Sequence, residues 1–128
     1  MKTMGIDFGM KRVGVALSDE NASFAFPHSV MKNDVALLGN ILSLAQSEKV
    51  SIIVIGESRD YTGKPNPIME HITRFKEQLE KEGNRSVFLE PEFLTSAEAE
   101  RIQGKTETLD ASAAALILKS YLERYREK

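Results

Sequence analysis

The residues best suited to chemistry are three acids spread along the chain: Asp7, a glutamate at position 90 or 92, and Asp110. Carboxylates brought together raise one another's pKa, and a divalent cation relieves the repulsion. Hard oxygen donors of this kind suit Mg2+ or Mn2+. Two such ions about 4 Å apart support in-line attack of water on a phosphodiester. Each acid also has an ordinary role open to it. Asp7 can lead into a turn, Asp110 can cap a helix, and Glu90 and Glu92 can line a solvated strand edge. Lys11 and Arg12 follow closely on Asp7, where they can contact phosphate, and Arg59 and Lys64 stand in a later polar loop. His28 and His71 lack metal-ligand spacing, and without cysteine there is no thiolate site or disulfide.

These residues need elements to position them. Residues 4–8 and 13–17 alternate apolar and small or polar types, the pattern of two strands joined by a short turn. Ile6 and Phe8 share one face, so Asp7 lies on the other beside Gly5 and Gly9, where an ion or phosphate can approach the backbone. Val13, Val15 and Leu17 give the second strand an apolar face, while Gly14 and Ala16 leave its opposite face nearly bare. Residues 23–30 read as a third strand, kinked at Pro27 near an edge.

Asn33 or Asp34 is expected to cap a helix with Val35, Leu38, Leu42 and Ala45 on its buried stripe. Residues 50–56 are almost continuously apolar, which suits a parallel strand buried on both faces. The polar loop after it, carrying Arg59 and Lys64, leaves the end of the strand where open α/β sheets keep their ligands. Pro67 is expected to open a helix, capped by Asn66, that runs to about residue 82 with Ile68, Ile72, Phe75 and Leu79 inside and is stopped by Gly83-Asn84. A short strand follows at 86–90, and Thr95 to Glu98 has capping-box spacing for a short helix ending near Gly104. The last helix is expected from about Asp110 to about Arg126, with Ala114, Ile117, Leu118, Tyr121, Leu122 and Tyr125 on its stripe. Asp110, four residues before Ala114, falls on that inward face. Periodicity does not show that the three acids meet.

With 128 residues, the chain fits one domain, residues 1–128, without an internal repeat or linker. Its 41% hydrophobic and 28% charged content is that of an ordinary globule, and no apolar run is long enough to span a bilayer. With no apolar leader segment at the N-terminus, a cytoplasmic location is expected. The net charge of −2 argues against non-specific polyanion binding. A nucleic-acid role therefore needs local cations such as Lys2, Lys11, Arg12 and Lys32. The element order β-β-β-α-β-α-β-α-α implies an α/β fold, a mixed sheet of a hairpin meander extended by parallel strands, flanked by helices.

The opening stretch Gly5-Ile6-Asp7-Phe8-Gly9-x-Lys11-Arg12-x-Gly14-Val15-Ala16-x-Ser18-Asp19 resembles the most specific motif of the YqgF (RuvX) family, the bacterial Holliday-junction-resolvase-like proteins. Val54-Ile55-Gly56, Leu94-Thr95-Ser96-x-x-Ala99 and Leu109-Asp110-x-x-Ala113-Ala114 are similar to its later motifs. The resemblance implies a ribonuclease-H-like fold with a five-stranded mixed sheet. It also implies Mg2+- or Mn2+-dependent hydrolysis of nucleic-acid phosphodiesters, linked to 5′ maturation of pre-16S ribosomal RNA and, by older inference, to branched DNA.

By that resemblance Asp7, Glu92 and Asp110 are the catalytic, metal-holding acids. Lys11 and Arg12 match the basic pair, and a ribosomal precursor particle is an implied partner, with the protein a monomer or homodimer. The third motif departs from the family: Pro91-Glu92-Phe93 stands where Asp-Glu-Arg is usual. A phosphate clamp is thereby lost, and Glu90 is the nearest acid that can compensate. A binding protein of the same fold without strong catalysis is the alternative. A weaker one is nucleotide binding of the sugar-kinase type, which needs two domains to close over ATP where this chain has room for one.

Overall fold

Alternation in the opening residues produces the expected hairpin, and every later strand adds to it. The computed structural model describes residues 2–59, 66–93 and 107–126, with backbone alone at 58, 59, 92, 93, 107–110, 125 and 126. Strands β1 (Lys2–Phe8), β2 (Arg12–Ser18), β3 (Ala25–Lys32), β4 (Val50–Arg59) and β5 (Ser86–Phe93) form one sheet in the order β3-β2-β1-β4-β5. β1, β2 and β3 pair antiparallel, whereas β4 joins β1, and β5 joins β4, in parallel. Helices α1 (Leu37–Ser47) and α2 (Met69–Gly83) supply the parallel crossovers, and α3 (Glu107–Arg126) closes the chain. This is the five-stranded mixed sheet with flanking helices implied above.

The pleat divides β1 between two cores. Met4 and Ile6 point with Val13, Val15, Leu17, Ile53 and Ile55 into a large core completed by Leu37, Ile41, Ile72, Phe75 and Leu79 of α1 and α2. On the other face Ala16 and Val54 meet Ala114, Ile117, Leu118, Tyr121 and Leu122 of α3. Gly5 makes that second contact possible. A Cβ there would stand 2.7 Å from the Leu118 Cβ and 2.9 Å from the Ala114 carbonyl oxygen. Only glycine lets α3 come so close to β1.

The end of the sheet remote from the strand C-termini is stitched by polar contacts. The Thr3 N–H donates to Ser18 Oγ at 2.8 Å, and Lys2 Nζ pairs with Glu48 Oε1 at 2.8 Å. Arg85 donates through Nε to the Val50 carbonyl at 2.8 Å and through Nη1 to the Gly83 carbonyl at 3.0 Å. Asn84, at φ 53°, takes the left-handed conformation that ends α2.

Several boundaries differ from expectation. The Asp34 carboxylate accepts the Ala36 N–H at 3.0 Å, and the Leu37 N–H bonds to the Asp34 carbonyl at 3.1 Å. This local turn delays α1 to Leu37, so Val35 is fully exposed rather than on the buried stripe. Pro67 likewise falls in a turn, with the Met69 N–H bonded to the Asn66 carbonyl, and α2 begins at Met69. β3 lies two residues later than the reading of 23–30. β4 and β5 run past Gly56 and Glu90 because they pair with each other as far as Arg59 and Phe93. Pro91 is tolerated because β5 is an edge strand. α3 starts at Glu107, so Asp110 stands within its first turn and is not its N-cap. The short helix expected from Thr95 to Gly104 lies outside the described residues, as does Lys64.

Candidate active site

In a parallel stretch of sheet the C-terminal strand ends share one rim, and β1, β4 and β5 all end there. Asp7 is the penultimate residue of β1, half-buried, opposite Gly14 of β2. Because Met4, Ile6 and Phe8 face α1 and α2, the same pleat turns Asp7, like Gly5, toward the α3 side. The expectation that Asp7 and Ile6 occupy opposite faces is met.

The hairpin turn after Asp7 is fastened from two sides. Gly9 is obligatory, since a Cβ there would lie 2.5 Å from the Arg12 carbonyl oxygen. Asn33, just past the end of β3, donates its side-chain amide to the Gly9 carbonyl at 2.8 Å and its backbone N–H to the Lys11 carbonyl at 3.0 Å. The turn carrying Lys11 and Arg12 is thus held to the neighbouring strand end. Arg12 pairs in register with Lys32. Lys11, Arg12 and Lys32 border a shallow hollow of about 480 Å3, with Asp34 as the acid on its lining. Such a cluster gives a phosphate a local positive field that the net charge of the chain does not. In sequence Asn33 has the look of a helix cap, and its fastening of the turn emerges only with the register that pairs Lys32 with Arg12.

The two glutamates have different positions. The row Ile6–Ile55–Leu89 crosses three strands, and Glu90, paired with Gly56, stands one step beyond it toward the rim. Although only 2% exposed, Glu90 is satisfied. Ser120 Oγ donates to its Oε2 at 2.9 Å, and Arg124 Nη1 contacts its Oε1 at 2.9 Å. With Phe88 and Tyr121 stacked at a centroid distance of 6.0 Å, this pair holds the C-terminal half of α3 on β5. Glu90 is therefore a tether for α3, the helix that carries Asp110. Glu92 follows two residues later in β5, paired with Ser58.

Asp110 is the fourth residue of α3, one turn before the Ala114 that lies over Gly5. Arg59 ends β4 at the same rim. Among the described residues no group of three acids or histidines gathers, the side chains of Glu92 and Asp110 being outside them. The structure thus joins Asp7, Lys11 and Arg12 on one hairpin and docks α3 beside it. Glu92 and Asp110 are fixed by backbone position alone.

A family model described as RuvX, Holliday junction resolvase, matches residues 1–124. A protein of Maridesulfovibrio salexigens, provisionally named a pre-16S rRNA nuclease, is 34% identical over 97% of this chain and 99% of its own. Similarly named proteins of Carboxydothermus hydrogenoformans and Thermoanaerobacter pseudethanolicus are 34% and 30% identical, over 100% of this chain and 99% and 100% of theirs. Among solved structures, T. thermophilus RuvC in complex with a Holliday junction substrate superposes with a TM-score of 0.63 at 15% identity, over 98% of this chain and 96% of that one. The fowlpox virus Holliday junction resolvase gives 0.58 at 14%, over 98% and 99%. The fold is ribonuclease-H-like.

Proposed function

Since the chain belongs to the RuvX family of Holliday junction resolvases, we propose that it is a metal-dependent nuclease hydrolysing phosphodiesters in the 5′ maturation of pre-16S ribosomal RNA. The observation that carries this reading is the hairpin itself. Asp7 turns from the bulky core toward α3, and Lys11 and Arg12 are held beside it by Asn33. The nearly full-length likeness to relatives named for that activity supports the RNA substrate.

The donor chemistry fits Mg2+ or Mn2+. The candidate set is wholly carboxylate, the hard oxygen donors these ions take, and Asp7 is half-buried at the rim where β1, β4 and β5 end. Asp7, Glu92 and Asp110 would hold the ion. Bound there, it supplies Lewis acidity at the phosphodiester. The chain's own residues do the rest. Lys11 and Arg12 engage the phosphate, and Arg, with its planar donor fork, fixes its orientation. Arg59 and Lys64 extend the contact along the substrate backbone. Glu90 keeps α3, and with it Asp110, in place through Ser120 and Arg124.

Pro91 and Phe93 favour a second reading, a pre-ribosome or nucleic-acid binding protein whose catalysis is weakened by loss of the arginine usual after the glutamate. The partner in either case is nucleic acid, in or out of a precursor particle. No helix among the described residues is long and apolar enough to cross a membrane, and we place the activity in the cytoplasm.

Cleavage of a labelled precursor RNA on addition of Mn2+, absent with chelator, separates the two readings. In the Asp7→Asn variant cleavage is lost while the melting temperature is kept. Full cleavage by that variant would refute the assignment of Asp7.

A further inference from the structure

Asp7 and Phe8 are consecutive on β1 and point to opposite faces, and the face under Phe8 opens into a cleft that the reaction above does not use. Its volume is about 580 Å3, within the range of sites that take a small organic group. The floor is aromatic: Phe8 and Phe75 pack with centroids 5.2 Å apart. Met10, from the hairpin turn, and Val35, from the turn before α1, both line the cleft. Met10 is 56% exposed and Val35 fully so. Arg74 and His71 of α2, both exposed, line it as well. The acid on the lining, Asp34, is already bonded to the Ala36 N–H.

Exposed apolar side chains around an aromatic floor, with a guanidinium beside them, suit a flat apolar ring attached to an anion. Nucleotides have both parts. Bases stack on aromatic and apolar faces in single strands, where every base offers a π-face. Arg74 can stack on the ring or bind its phosphate. The cleft is also continuous with the hollow of Lys11, Arg12 and Lys32 through Met10, Asn33 and Asp34, which line both. A strand whose phosphate lies at Asp7 and Lys11 therefore has only the hairpin turn to cross before its neighbouring nucleotide reaches the cleft. A base held in a duplex cannot make that turn.

We infer that the cleft receives an unpaired nucleotide next to the scissile phosphate, so that the protein selects single-stranded over duplex substrate. The inference rests on the nuclease reading for the position of the phosphate. The test is fluorescence anisotropy in chelator, where nothing is cut, with a short labelled single-stranded RNA and a blunt RNA duplex of the same sequence. The parent protein binds the single strand more tightly.

Val35→Asp and Arg74→Ala, on separate elements and both at exposed positions, each weaken single-strand binding about tenfold and leave duplex binding unchanged. Lys76→Ala, on α2 outside the cleft, changes neither. Thermal melts equal to the parent's accompany the comparison. Single-strand binding unaltered in both cleft variants, or an equal loss on duplex, overturns the inference while leaving the nuclease reading to stand on its cleavage assay. Failure of the parent to bind either RNA overturns the inference as well, and cleavage with Mn2+ decides the nuclease reading separately.

Discussion

On one face of the sheet Met4, Ile6, Val13, Val15, Ile53 and Ile55 stand against two helices. On the other, among the described residues, Gly5, Ala16 and Val54 meet one helix, α3. Large branched side chains make the first face the main store of apolar burial, at roughly 25 cal/mol per Å2. Small residues on the second give up burial for close approach, and this is the face that carries Asp7 and Glu90. The main apolar core and the candidate acid are thus separated across a single strand by its pleat, residue by residue along β1.

The contrast can be broken most sharply at neighbouring positions. Asp7→Asn abolishes cleavage and leaves the melting temperature unchanged. Ile6→Ala, one residue away on the other face, opens a cavity at a fully buried site. It lowers stability by about 2–5 kcal/mol in urea denaturation, while the folded fraction still cleaves at the parent rate. If both variants lose stability and activity alike, the two faces are not separate. Gly5→Val tests the close approach itself. The added side chain meets Leu118 and the Ala114 carbonyl, which costs about 1–3 kcal/mol and also slows cleavage by lifting the helix that bears Asp110. A Gly5→Val protein with unaltered stability would mean that α3 is not seated as described.

The smallest effect lies at the far end of β1. A hydrogen bond from Lys2 holds the Glu48 carboxyl below its ordinary value, and the same bond holds the Lys2 amine above its own. The pair therefore contributes fully between the ordinary values of 4.5 and 10.5. The contribution is lost as pH falls through the lowered pKa of Glu48, or rises through the raised pKa of Lys2. Both groups are open to water, so the gain is modest and salt-screened. Melting temperatures measured across pH show two shallow limbs that Lys2→Ala removes, leaving cleavage untouched.

Much of this division is legible in the chain because it is local. Alternation through Ile6, Asp7 and Phe8 places the acid opposite the core without any knowledge of the partners. The stripe from Ala114 to Leu122 identifies the inward face of α3 in the same way, and its five named residues are buried. What was not legible depends on distant pairing. Val35 has the spacing of a core residue, yet the Asp34 turn outcompetes the first helical turn and leaves it in solvent. Polar Glu57 and Ser58 look like loop, but β5 supplies their strand partners in Pro91 and Glu92. Glu90 and Arg124, 34 residues apart, carry no mutual signal in sequence. At the site, the hairpin and its cations were readable, whereas the fastening by Asn33 required the register of β3.

With Asp7 as a ligand for a divalent ion on the α3 side of the sheet, crystals soaked in Mn2+ give an anomalous-scattering peak within about 2.5 Å of an Asp7 carboxylate oxygen, shared with Glu92 and Asp110. Saturated crystals with no peak at Asp7, or with manganese bound only elsewhere, would contradict that assignment.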